Sequence, residues 1–198
     1  MQPGDRLGPD ERSFLLRLAR ASAAEALGGP SLVERPPEAP LLHEPGACFV
    51  TFRRRGAGPG GGLRGCLGTL EPREPLWQAV KRLAAETVTG DPRFFDRPVT
   101  LAELPELQID ISVLHPRRKL DDPLSLELGK DGIVVEGQGS CSGCRGVYLP
   151  QVATEHGMGK EEFLSSCCSH KAGLSADAWR DPKRCIVYAF RAEVFGEE

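Results

Sequence analysis

Strand-forming runs in this chain occur as hairpin-like pairs separated by helical stretches. They never show the steady strand–helix alternation that a parallel sheet requires, which restricts the chain to an α+β fold with an antiparallel or mixed sheet and flanking helices. Ala47-Cys48-Phe49-Val50-Thr51-Phe52 has strand composition, Gly56 to Gly62 forms a glycine-rich turn, and Leu63 to Leu70 returns as a strand. A second pair follows, Gly132-Ile133-Val134-Val135 and Gly146-Val147-Tyr148-Leu149-Pro150, joined by a Gly/Ser/Cys loop. Between them Gln108 to Leu114 alternates Ile109, Ile111 and Val113 with more polar neighbours, and Cys185 to Phe195 closes the chain as a strand.

Helical periodicity fills the intervals. Pro9-Asp10-Glu11 places acids in the first turn of a helix carrying Phe14, Leu15, Leu18 and Leu27, which Gly28-Gly29-Pro30 ends. Residues 30–46 contain five prolines and read as an irregular connection. Pro72 to Thr89 has Leu76, Ala79, Val80, Leu83 and Ala84 on one stripe, and Gly90-Asp91-Pro92 stops it. Thr100 and Glu103 have capping-box spacing before a short turn. Glu161 to Lys171 is a helix with Gly173 placed to cap it and Lys171 placed to compensate its carboxyl end.

Bulk composition narrows the function classes. The 198 residues carry a net charge of −3, which opposes general nucleic-acid binding. The basic runs Arg53-Arg54-Arg55 and Arg117-Arg118-Lys119 read as solvated loops. No apolar run has the length a membrane span needs, and Met1 to Asp10 has no apolar signal core, so a cytoplasmic chain with no membrane association is expected. Seven cysteines, two of them adjacent at Cys167-Cys168, make an awkward disulfide framework and suit reduced thiols.

The segment richest in chemistry is Leu63-Arg64-Gly65-Cys66-Leu67-Gly68-Thr69-Leu70. Strand alternation would put Arg64 and Cys66 on one face, with the guanidinium near the sulfur, where a cation favours thiolate over thiol. Gly65 and Gly68 remove side chains where a ligand or a second backbone could approach. Cys66 could therefore be a nucleophile, a thiolate ligand or part of an anion-binding edge. The competing reading is a small buried apolar cysteine beside a bulge.

Leu63 to Leu70, extended by Glu71-Pro72, resembles the signature of the AmmeMemoRadiSam system protein A family, whose animal relatives are products of the AMME-syndrome candidate gene. Further blocks agree in order: Phe49-Val50-Thr51, Asp91-Pro92-Arg93-Phe94, Ile109 to Leu114, Gly132 to Val135, Leu149 to Val152 and Lys171 to Leu174. The resemblance covers residues 10–195 as one domain and leaves residues 1–9 as a flexible lead-in. It implies two unequal lobes with the signature near the cleft between them. It further implies Cys66 and Arg64 as catalytic candidates, Gly65, Gly68, Asp91 and Arg93 as substrate-binding candidates, and association with a Memo-like protein and a radical SAM enzyme. The reaction stays open between a cysteine-dependent enzyme, or component of one, and a noncatalytic scaffold.

Other clusters also carry reactive side chains. Cys141 and Cys144 form a C-x-x-C, and Cys167 and His170 repeat the spacing, so the four could hold zinc, act as redox thiols or be incidental. His43 and His115 are the histidines that could partner Cys66. Asp91 and Arg93 read as a cap or an ion pair. No glycine-rich nucleotide fingerprint, P-loop or metalloprotease motif occurs, and the three-cysteine radical SAM spacing is absent, so no cofactor and no resident metal are expected.

Overall fold

The computed structural model describes residues 6–57 and 61–197. Gly58, Pro59 and Gly60 of the glycine-rich turn lie outside the described residues, as do residues 1–5 of the stretch read as a flexible lead-in. Leu7, in the same stretch, is buried in the core. The chain divides into two compact units, residues 1–114 with 193–198, and residues 115–192.

In the first unit, helix α1 (Pro9–Ala26) begins as its sequence suggests, with proline in its first turn and the Gly8 amide donating to the Glu11 carboxylate. Gly28, at φ 85°, ends it in the left-handed conformation that glycine adopts freely. A short helix α2 (Pro40–His43) interrupts the proline-rich connection, which had been read as irregular. Strand β1 (Ala47–Arg54) pairs antiparallel with β2 (Leu63–Gly68) on one side and with β3 (Leu107–Leu114) on the other. β2 is an edge strand.

Helix α3 (Leu76–Gly90) starts four residues later than its composition suggested. The Gly46 amide donates to the Glu74 carbonyl and the Leu76 amide to the Glu44 carbonyl, 3.1 and 2.9 Å, which ties residues 74–76 to the extended stretch before β1. Alternation sends Cys48, Val50 and Phe52 of β1 and Ile109, Ile111 and Val113 of β3 into a core shared with Phe14, Leu15 and Leu18 of α1 and Val80, Leu83 and Ala84 of α3.

Gly65 lies on this inner face. A β-carbon there would stand 2.7 Å from Thr87 Cγ2 and 2.9 Å from the Thr87 carbonyl oxygen. Glycine therefore sets how closely α3 lies against β2. Gly65→Ala is expected to cost about 1–3 kcal/mol through overpacking, read as a lower urea midpoint at unchanged slope.

The second unit is built on strands β5 (Asp131–Gly137) and β6 (Arg145–Tyr148), an antiparallel hairpin, with β5 also paired to β7 (Cys185–Gly196). The short β4 (Arg118–Lys119), absent from the sequence reading, adds to β7. From Glu193 onward β7 belongs to the first unit, beside β3. Pro150, read as a strand end, instead opens helix α4 (Pro150–Glu155), because a first-turn position needs no amide hydrogen.

Helix α5 (Lys160–Ser166) does not run regularly to Lys171; residues Cys167–Lys171 form a π-helical turn. Gly146 explains the close approach at this point, since a β-carbon there would meet the Cys167 carbonyl oxygen and the Ala172 nitrogen at 2.8 Å each. Lys171 lies over the Tyr148 ring, 5.8 Å from its centre. The core of this unit gathers Leu126, Ile133, Val135, Phe163, Leu164 and Trp179. Gly173, at φ 67°, follows the π turn.

The two basic runs are not free loops. Arg54 pairs with Glu103 and Arg53 with Asp110 at the end of β1, while Arg117 pairs with Glu136 and Arg118 with the fully buried Asp131. Among the described residues, no helix is long and apolar enough to cross a membrane.

Candidate functional site

An edge strand has one row of backbone groups without a neighbouring strand, and those groups need other partners. At Cys66 the partners are side chains. The Cys66 amide donates to Asp91 Oδ2 at 2.8 Å, and the Cys66 carbonyl accepts from Arg93 Nη2 at 2.9 Å. Asp91 and Arg93 are themselves joined, Nη2 to Oδ2 at 2.7 Å and Nε to Oδ1 at 3.0 Å. Asp91 also accepts from the Arg93 amide at 3.1 Å, capping the 3-10 turn Pro92–Phe94. The expected cap or ion pair is thus both, and it forms the outer boundary of β2.

Because the Cys66 amide and carbonyl point away from β1, Cys66 and its partner Thr51 form a non-hydrogen-bonded cross-strand pair, the kind whose side chains come closest. Thr51 Oγ1 accordingly donates to Cys66 Sγ at 3.1 Å. The thiol is half-buried. Two residues on, Gly68 is covered by the ring of Phe49, which would lie 2.2 Å from a β-carbon there. Gly68 therefore makes room for an aromatic ring of the same protein.

Arg64 departs from the expected geometry. The β1–β2 register shifts between Phe52, opposite Gly65, and Arg53, opposite Leu63, so Arg64 is the extra residue of a bulge. Its guanidinium is carried to Glu103, with Nε to Oε1 at 2.6 Å and Nη2 to Oε2 at 2.9 Å, and to the carbonyls of Arg97 and Pro98 at 3.1 and 3.3 Å. The arginine that reaches Cys66 is Arg93, through the Cys66 carbonyl. Arg64 is thus not the partner of the Cys66 sulfur which simple alternation suggested. Both cations approach the Phe94 ring, Arg64 at 5.5 Å and Arg93 at 5.9 Å from its centre.

Both carboxylates are held ionised. Burial alone would raise Asp91, but the bonds from the Arg93 side chain and from the Cys66 and Arg93 amides outweigh it and bring it below the ordinary aspartate value. The hydrogen bonds from Arg64 lower Glu103, against an opposing effect of burial and with further help from Arg54. The site therefore presents two guanidinium–carboxylate pairs that both approach one aromatic ring, with a half-buried thiol on the residue whose backbone one of them holds.

Three contributors escaped sequence reasoning. Glu103 was read as a capping-box acid. Thr100 does accept from the Glu103 amide at 3.2 Å, but the Glu103 carboxylate turns to Arg64 and Arg54. Thr51 looked like an ordinary strand residue, since only the register puts it opposite Cys66. Phe94 stands within the Asp91-Pro92-Arg93-Phe94 block, and nothing local marks it as a partner of two arginines. The histidines lie elsewhere: His43 bonds the Pro37 carbonyl at 2.9 Å, and His115 Nδ1 is buried without a partner. Among the described residues, no three His, Cys, Asp or Glu groups are arranged to hold a metal ion. His170 instead bonds Ser166, 3.1 Å, and Cys167 is sealed in the core, its thiol pushed up to about 12 by burial.

The chain resembles archaeal proteins along almost its whole length. A Methanopyrus kandleri protein is 40% identical, covering 98% of this chain and 92% of the relative. A Thermococcus gammatolerans protein is 40% identical, covering 98% and 93%. The crystal structure of an uncharacterized protein from Pyrococcus horikoshii superposes with a TM-score of 0.84 at 38% identity, covering 97% of this chain and 94% of that one. The family model described as AMMECR1 matches residues 16–195, and with these full-length relatives it shows that the chain belongs to the AMMECR1 family.

Proposed function

We propose that this chain is a cysteine-dependent enzyme, or the thiol-bearing component of one, with Cys66 as the reacting group. The observation that carries the reading is the treatment of Cys66. Its backbone is clamped by Asp91 and Arg93, while its half-buried sulfur accepts a hydrogen bond from the Thr51 hydroxyl. Negative charge on the sulfur would find a hydrogen bond in Thr51 and a cation in Arg93. In a first step the thiol loses its proton to solvent, and a sulfur lone pair forms the bond to an electrophilic substrate atom, whose leaving group departs with its own electron pair. Arg93 and Arg64 would orient an anionic substrate group, with Phe94 as a flat surface near both, and Gly65 and Gly68 keep the strand slim. Association with a Memo-like protein and a radical SAM enzyme belongs to the same reading.

Alkylation tests it. In a Cys141→Ser/Cys144→Ser background, Cys66 should react with iodoacetamide well ahead of Cys48 and Cys167, whose thiols burial pushes up to about 12. Arg93→Lys, which keeps a cation but loses the bidentate fork, should slow Cys66 alkylation about 3- to 10-fold. Cys66→Ser should fold normally and fail genetic complementation. Full complementation by Cys66→Ser removes the enzyme reading.

A second reading has its own observation. Phe95, directly after the site's Phe94, is 85% exposed. An exposed aromatic beside paired charges suits a protein-docking edge. If Phe95→Ala abolishes co-purification with a Memo-like or radical SAM partner while Cys66→Ser changes nothing, the chain is a scaffold.

A further inference from the structure

The loop between β5 and β6 holds a second thiol arrangement, independent of Cys66. Cys141-Ser142-Gly143-Cys144 is a tight turn: Ser142 has φ −58° and ψ 119°, Gly143 has φ 103°, and the Cys144 amide donates to the Cys141 carbonyl at 2.9 Å. These are the angles and hydrogen bond of a type II β-turn, with cysteine at its first and last positions. Such a turn brings its end Cα atoms within about 7 Å, overlapping the roughly 4.4–6.8 Å that disulfides span.

Gly137 brings the two side chains together. A β-carbon on Gly137 would lie 3.1 Å from Cys141 Cβ and 3.1 Å from Cys144 Cβ, so both thiol-bearing carbons crowd one point above a bare backbone. The frame is pinned at both ends: the Gly137 amide donates to the Cys144 carbonyl at 2.8 Å, and the Cys141 amide to the Gln138 carbonyl at 3.2 Å. The sulfurs act on each other as well. Burial first, then the hydrogen bond and charge of Cys141, push the Cys144 thiol up. Both residues are half-buried, within reach of small reagents.

The unit has a second close thiol pair, Cys168 with Cys185, but these residues are 0% and 2% exposed. Proximity alone therefore does not single out the loop pair. Proximity combined with access does.

We infer that Cys141 and Cys144 form a reversible dithiol–disulfide pair, closed across the turn by exchange with a small-molecule disulfide. One cysteine sulfur, having given its proton to solvent, attacks a sulfur of the disulfide RSSR; a protein–SR bond forms and RS⁻ leaves, to be protonated. The second cysteine, likewise deprotonated, attacks the protein-bound sulfur, forming the intramolecular bond and expelling the second RS⁻. Two protein thiols have then lost two electrons and two protons, and RSSR has become two RSH. The ring closed is very short, so the bond restricts the unfolded chain only weakly; it acts as a switch on the hairpin end rather than as a staple.

Glutathione disulfide is the probe. The full chain is incubated with it, quenched in acid, treated with N-ethylmaleimide and mapped by mass spectrometry. The expected result is loss of the Cys141 and Cys144 thiols, a Cys141–Cys144 linkage, no glutathione retained on either of these two residues, and full reversal by dithiothreitol. Cys144→Ser should instead keep glutathione on Cys141, which separates ring closure from simple access. Glutathione stably held by the wild-type loop, both loop thiols free after treatment, or a linkage mapping to Cys168 and Cys185 would each overturn the inference.

Discussion

Asp91→Ala is expected to lower the stability of the folded chain by about 3–4 kcal/mol, measured by urea unfolding. Asp91 is 4% exposed and serves three partners: the Cys66 amide, the Arg93 amide and the Arg93 guanidinium. Alanine leaves the Cys66 amide on the strand edge with no acceptor and unpairs a guanidinium that still bonds the Cys66 carbonyl. The Arg93 side chain is 52% exposed, so its ion pair contributes little in water, and most of the cost comes from the orphaned amides. Asp91→Asn keeps one acceptor oxygen, which can still serve the Cys66 amide, but loses the charge and replaces the other acceptor by an NH2, so its cost should be about 1–2 kcal/mol. Equal losses for the two variants would show that the surviving acceptor, and hence capping of the Cys66 amide, contributes little.

This site also gives stability a pH dependence with a definite sign. The folded values of Asp91 and Glu103 lie below their ordinary values of 3.8 and 4.5. A carboxylate lowered on folding adds stability that is fully present above its unfolded pKa and is lost as pH falls through the folded one. Wild-type stability should hold from neutrality down to about pH 5 and then decline in acid. Asp91→Asn should start lower and decline less steeply. Asp110 works in the opposite sense: burial, with a smaller push from Glu197, raises it despite Arg53, so its contribution favours the fold at low pH and fades as pH rises through its folded value.

Glu103→Ala, the second large effect, should cost about 2–3 kcal/mol. The Arg64 and Glu103 side chains are 11% and 14% exposed, and alanine takes away this carboxylate while leaving Arg64 the Arg97 and Pro98 carbonyls and the Phe94 ring. Arg54, 60% exposed, simply returns to solvent. Arg64→Ala combined with Glu103→Ala should cost less than the sum of the single changes, with a coupling of about 1–2 kcal/mol. Additive costs would mean that the pair is incidental and that the bulge alone places Arg64. Arg64→Lys should recover little, because the two-pronged contact with Glu103 needs the guanidinium fork.

Local signals reported much of the architecture. Proline and acids at the start of α1, Gly28 at its end, and the alternation through β3 each depend on neighbours within a few residues, so a one-dimensional pattern contains them. Helix α4 and the π turn after α5 were misread because their causes lie elsewhere. Pro150 can end a strand or open a helix equally well, and the path of residues 167–171 answers to Gly146, some twenty positions earlier.

The chain's letters alone established an α+β protein with a glycine-flanked cysteine on a short strand, because backbone preferences and alternation act between near neighbours. Which groups surround that cysteine was settled only in three dimensions. One unpaired residue in the β1–β2 ladder sends Arg64 to Glu103, 39 positions away, while Arg93 and Asp91 close on Cys66 from beyond the strand edge. Strand register and the satisfaction of edge hydrogen bonds are properties of segments brought together from distant parts of the chain. A neighbour-by-neighbour pattern contains neither.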